Sequence, residues 1–200
     1  MRVLAALLVL AASAAIAAER PKPGDMVNNP PYAHWSQFPV GTSVTTKEVV
    51  TLADGNTVET LITSKLVTKT KDRLTVETLV TAADESKHAG LAAQTKTLTD
   101  YPAKVKFERT HSPDSAGYSV TEGKEVVDVQ GKQVEAEWVE ATTTNGDETT
   151  VEKIWTAQDV PGGIVKQTMV KKKGAKVSSQ SAMQLVNVST KPAKSSAKKP

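Results

Sequence analysis

The chain has 200 residues, 25 Lys+Arg against 22 Asp+Glu, and no cysteine. The missing thiols exclude disulfides, thiolate metal sites, a cysteine nucleophile, thiol redox chemistry and a cysteine-linked lipid anchor, which leaves stability to a packed core. With Arg2 and the tail lysines Lys191, Lys194, Lys198 and Lys199 set aside, the body is slightly acidic, which excludes the basic stripe of a nucleic-acid-binding fold.

Residues 1–17 read as a secretory signal peptide. Arg2 gives the positive start, residues 3–16 form an apolar run broken by Ser13, and Ala15-Ile16-Ala17 is a small-x-small cleavage site. The run is shorter than the ~20 residues of a spanning helix. The mature chain is therefore expected to be exported, periplasmic or secreted, and not membrane-spanning. Residues 18–31 hold Pro21, Pro23, Pro30 and Pro31 and predict an extended leader. Residues 32–38 carry Tyr32, Trp35 and Phe38, and predict one helical turn that plugs an edge of the core.

Residues 32–189 are expected to form a single antiparallel β domain. Val, Thr, Ile and Leu alternate with polar residues at period two, and turn residues interrupt them. Strands are predicted over 43–53, 57–70 and 73–82, with turns at Asp54-Gly55-Asn56 and Lys71-Asp72. Residues 84–93 read as a helical turn or a loop, 95–99 and 104–109 as short strands around Tyr101-Pro102, and 111–117 as a loop. A five-strand meander then covers 125–129, 133–144, 149–157, 164–172 and 176–188. Its turns fall at Gly131-Lys132, Asn145-Gly146-Asp147, residues 159–163 and Lys173-Gly174. Residues 190–200 are Lys, Pro, Ser, Thr and Ala, too poor in apolar surface to offset ordering entropy, and predict a disordered tail.

The fold class expected is mainly all-β, with little helix outside the signal. Thr and Val crowd a helix, and no βαβ alternation supports a parallel sheet. Strands beyond ten residues point to a curved antiparallel meander, a half-barrel or an open barrel.

Few residues suggest chemistry. His34, His88 and His111 lie far apart with no ligand spacing around them. No G-x-S-x-G elbow occurs, and Pro161-Gly162-Gly163 lacks the Lys and helix of a phosphate loop and reads as a tight turn. Glu135, Glu137 and Glu140 share a strand with Trp138, and read as its solvated face or, less simply, as an acid pair. No catalytic residue, metal or cofactor is predicted, and the chain is not expected to be an enzyme. Trp138 and Trp155 flank the Asn145-Gly146 turn and should sit opposite each other across the hairpin. They form either a core pair or, with Trp35 and Phe38, the wall of an apolar pocket on the concave side.

The segment 35–44, an aromatic-x-x-Phe followed by Gly and a first strand, resembles the opening of small secreted bacterial proteins of unassigned function. The segment 155–166, a Trp strand, a Val-Pro-Gly-Gly turn and a Val-Lys strand, resembles their late hairpin. The meander is similar in architecture to the periplasmic lipoprotein-carrier superfamily, a resemblance that implies a curved sheet holding acyl chains. Three roles follow as expectations. The first is an exported, non-enzymatic envelope protein binding a lipid or another apolar or amphipathic ligand on a concave sheet. The alternative is a structural or interaction module that binds cell-envelope polymer or another protein, with the basic tail as its tether. A hydrolase comes third.

Overall fold

The computed structural model describes residues 21–83, 95–108 and 117–190. The signal segment, the tail, residues 84–93 and most of 111–117 lie outside them. The elements in chain order are β1 (Met26–Asn28), α1 (Pro30–Ser36), β2 (Ser43–Leu52), β3 (Thr57–Lys69), β4 (Arg73–Ala82) and β5 (Thr95–Pro102). β6 (Lys104–Lys106), β7 (Tyr118–Val129), β8 (Lys132–Asn145), β9 (Glu148–Thr156), β10 (Ile164–Lys173) and β11 (Lys176–Ser189) follow.

Nine strands form one antiparallel sheet in the order β5-β4-β3-β2-β11-β10-β9-β8-β7, and β1 pairs with β6 in a separate ribbon. The sheet consists of two meanders, β2–β5 and β7–β11. They join where β2 pairs with β11, with Val44 opposite Val188 and Val50 opposite Ser181. The sheet does not close, but it rolls up strongly. Gln184 on β11 donates from Nε2 to the Asp128 carbonyl at the end of β7 (3.1 Å). Four strand spacings separate these two strands, which in a flat sheet would hold them about 19 Å apart.

The bend has a local cause. β-bulges interrupt the ladders between Leu66 and Thr68, between Leu185 and Asn187, and between Ile164 and Lys166. Bulges bend the strand and increase its twist. Leu66, Val165 and Leu185, which lie at these bulges, are buried, together with Leu74, Val76, Val127, Val129 and Trp155. The core therefore sits at one end of the sheet.

α1 seals that end. Pro30 and Pro31 occupy its first turn, where their missing N–H groups leave no helical bond unmade. The preceding Asn29 is buried and donates from Nδ2 to the Pro102 carbonyl (2.8 Å). Tyr32 donates its hydroxyl proton toward the carbonyls of Thr70 (3.0 Å) and Lys71 (2.7 Å). Lys69 Nζ donates to Ser36 O (2.9 Å) and Phe38 O (2.8 Å), satisfying carbonyls at the helix C-terminus where a cation is favoured. Trp35 inserts beneath the helix at 4 % exposure.

Three expectations need correction. The leader is structured from Met26 onward, because β1 zips onto β6 with Val27 opposite Val105 and α1 already begins at Pro30. Tyr101-Pro102 is not a break between two strands: β5 runs through it, with Leu74 opposite Tyr101. β7 begins at Tyr118 rather than at residue 125. Gly123, within β7, is covered by a ring. A Cβ there would lie 2.6 Å from Trp138 Cζ2.

Candidate functional site

A cavity of about 1080 Å³ opens at the sealed end, between α1, the inner face of the rolled sheet and the loop after β9. Strand alternation supplies its wall on β2, β3 and β11. Val44 and Thr46 on β2 share a face with Ile62 and Ser64 on β3, and Met183 lies on the same face of β11. Ile154 and Thr156 of β9 continue this surface toward Glu137 of β8 and Lys124 and Val126 of β7. α1 contributes Pro30, Pro31, His34 and Trp35, and β5 contributes Tyr101. Burial raises the Tyr101 hydroxyl above its ordinary pKa, so it is a neutral donor at any physiological pH.

The turn after β9 presses directly on the helix. Gly162 and Gly163 have φ of 78° and 82°, a region that side chains with a Cβ rarely adopt. A Cβ on Gly162 would come within 3.1 Å of Trp35 Nε1, and one on Gly163 within 2.9 Å of the His34 ring. Both glycines are thus required twice, for the turn and for the contact. His34 is packed there with Nδ1 buried and without a hydrogen-bond partner. Burial lowers its pKa below the ordinary 6.5, which keeps the imidazole neutral.

Opposite the apolar surface, the β7–β8 wall is charged. Lys124 Nζ pairs with Glu137 Oε1 at 2.9 Å. The hydrogen bond and charge of Glu137, with a smaller contribution from the charge of Glu135, raise the ammonium pKa. Glu125 accepts a hydrogen bond from Trp155 Nε1 (2.5 Å) and lies 3.7 Å from Lys153 Nζ. Glu135 stands two residues from Glu137 on the same strand.

Of the aromatic residues expected to line a ligand site, Trp35 lines the cavity. Phe38 is not among the described lining residues and meets Lys69 through its carbonyl. Trp138 and Trp155 do stand directly opposite each other. However, neither ring lines the cavity, although Glu125, Val134 and Ala136 of the same face do; Trp155 belongs to the buried core and Trp138 packs against it. There Lys153 Nζ sits 3.9 Å from the Trp138 ring centroid and 4.7 Å from that of Trp155, and Lys166 covers Trp155 at 4.7 Å. Such cation–π contacts contribute roughly 0.5–2 kcal/mol each. This cluster fastens β9 and β10 to the β7–β8 hairpin.

Glu135 and Glu137 were legible as a pair on one strand face and His34 as a lone residue, but not that all three line one cavity. Val44, Ile62, Lys124 and Met183 carried no signal beyond ordinary alternation. His88 and His111 lie outside the described residues. Among the described residues no three His, Cys, Asp or Glu side chains gather as a metal site, and no helix is long and apolar enough to cross a membrane.

No family model matches the chain, and no curated protein matches it in sequence. Among solved structures it is similar to a Bacteroides fragilis protein described as exported and of YmcC-like fold, at 13% identity and TM-score 0.42, over 76% of this chain and 98% of that one. It is also similar to a Parabacteroides distasonis protein described as a lipoprotein, at 11% identity and TM-score 0.42, over 76% and 97% of the two chains. An S-type phycobiliprotein lyase from Guillardia theta matches at 12% identity and TM-score 0.34, over 76% and 89%. At these identities and scores the likeness transfers neither a site nor an activity, and the function is argued from the cavity itself.

Proposed function

We propose that the protein is an exported binding protein, acting without catalysis, that holds an amphipathic small molecule in the cavity beside α1. One observation carries this reading: a space of about 1080 Å³ lined by many apolar side chains, with its charged side chains gathered on β7, β8 and the loop after β9. Ligand sites of this size are concave, mostly apolar and oriented by a few polar groups. The apolar wall of Val44, Ile62, Ile154, Ile164 and Met183 would desolvate a hydrocarbon or ring system. The β7–β8 wall would hold its polar end near solvent. Export is supported by the order of charge, apolar run and cleavage site in residues 1–17.

Native mass spectrometry of the chain expressed with its own first 17 residues in a bacterial host tests both parts. The expected result is a chain cut after Ala17, recovered outside the cytoplasm, with a bound small molecule that leaves on collisional activation. Ile62→Trp, which fills the cavity, should remove that mass. An adduct that survives this substitution would place the ligand elsewhere, and an uncut cytoplasmic chain would defeat the export assignment.

A further inference from the structure

The charge around the cavity is one-sided. Its charged lining consists of Lys124, Glu125, Glu135, Glu137 and Asp159. The single base is already held by Glu137 at 2.9 Å. Glu125 is engaged by the Trp155 indole and by Lys153. Glu135 and Asp159 have no ion pair among the described residues. His34, the remaining titratable nitrogen of the lining, is packed against Gly163 and held neutral by burial. Lys153 and Lys166 lie over the tryptophan rings, with Lys153 shared between them and Glu125. An anionic head group entering this space would find no free cation and would be opposed by a surplus of carboxylates. A cationic head group would be attracted by that surplus.

We infer that the ligand is an amphiphile with a cationic head, of the alkylamine class, and that fatty acids and other anionic lipids are disfavoured. The site is the cavity, and the carboxylates of its β7–β8 wall and of the loop after β9 set which head group it accepts. The inference rests on the cavity being a binding site, as proposed above, and adds the polarity of what binds. The head-group preference is expected to weaken with salt, because Glu135 and Asp159 are exposed and charges in water are screened over a Debye length of about 8 Å at 0.15 M.

A matched ten-carbon series separates the two levels. Decylamine, 1-decanol and decanoate are titrated below their aggregation concentrations into the signal-free chain at neutral pH and low salt, with binding measured by equilibrium dialysis. The expected order is decylamine, then decanol, then decanoate, with the amine about tenfold tighter than the alcohol, the scale of two weakly screened charge contacts. Glu135→Gln with Asp159→Asn should bring the amine close to the alcohol. Glu135→Lys with Asp159→Lys should raise decanoate above decylamine, with unchanged circular dichroism certifying the fold. Equal binding of all three compounds, or an amine preference that survives both double variants, overturns the head-group assignment and leaves the cavity reading standing. If none of the three binds, the cavity reading fails, and the head-group inference falls with it.

Discussion

The two ends of the sheet contain the same kinds of residues and treat them differently. At the sealed end Leu66, Leu74 and Val165 are fully buried, and Leu185 retains 2 % exposure. At the opposite end Leu52 and Val177 are 45 % and 47 % exposed, on strands as long and as regular. Residue type does not separate the two groups. Distance along the strand from α1 and the bulges does. A sheet without a second layer buries its inner face only where it rolls over itself or meets a plug. β2 shows both outcomes on one face, from Val44 at 8 % exposure to Leu52.

The sharpest way to test this contrast is to truncate matched leucines. Leu66→Ala or Leu74→Ala should cost about 2–5 kcal/mol in a denaturant titration, because each leaves a cavity in packed surroundings. A loss near zero at either site would show that the sealed end is not the core. The glycine turns give the second comparison. Gly163→Ala should destabilise by about 2–3 kcal/mol, combining an unfavourable φ with displacement of the His34 ring. Gly174→Ala, with φ of 56° and nothing within 4 Å of the added Cβ, should cost about 1 kcal/mol from backbone conformation alone. Equal losses would mean that the turn does not press on α1.

Lys69→Met should follow at about 1 kcal/mol, since it removes charge-assisted bonds to the helix C-terminus but keeps the aliphatic stem. Amide hydrogen exchange should show the loss confined to α1. His34 supplies a pH test. Its native pKa lies below the ordinary 6.5 because burial disfavours the imidazolium. The unfolded chain therefore takes up the proton first. His34 imposes no stability penalty above 6.5, and stability falls as pH drops from 6.5 toward the lowered native value. Thermal melts across that interval should show a slope that His34→Gln reduces; an identical slope in the variant would mean that the imidazole is not buried in solution. The smallest effect is expected at the open end. Leu52→Ala should change stability by no more than about 0.5 kcal/mol, and a larger loss there would mean that something covers Leu52.

Much of the sheet was legible in advance. Residues 73–82 and the hairpin around Asn145-Gly146-Asp147 come from period-two alternation and turn chemistry, both local properties. The Trp138–Trp155 pairing followed from counting outward from that turn. Which face those rings occupy did not, because a strand with Glu and Trp alternating through Glu135, Glu137 and Trp138 offers two plausible insides. The rings join the core, with lysines over them, and Glu135 and Glu137 on the other face of the strand line the cavity. The start of β7 was missed, and within its unread part the ring of Trp138 explains why Gly123 carries no side chain. The Met26–Asn28 strand was hidden because three residues carry no periodicity, and its partner Lys104–Lys106 is equally short.

By itself the sequence determined the class of the protein: antiparallel strands, the place of most turns, the register of the hairpin around Asn145-Gly146, and an aromatic helical turn before the first long strand. These follow from forces acting between residues a few positions apart. The tertiary structure decided that the first long strand pairs with the last, that the sheet rolls until Gln184 reaches Asp128, and that α1 and the Gly162-Gly163 turn seal one end. It thereby decided which carboxylates surround a cavity and which tryptophans do not. Those outcomes depend on contacts between distant segments, where the roll of the sheet rather than the local pattern selects the buried face.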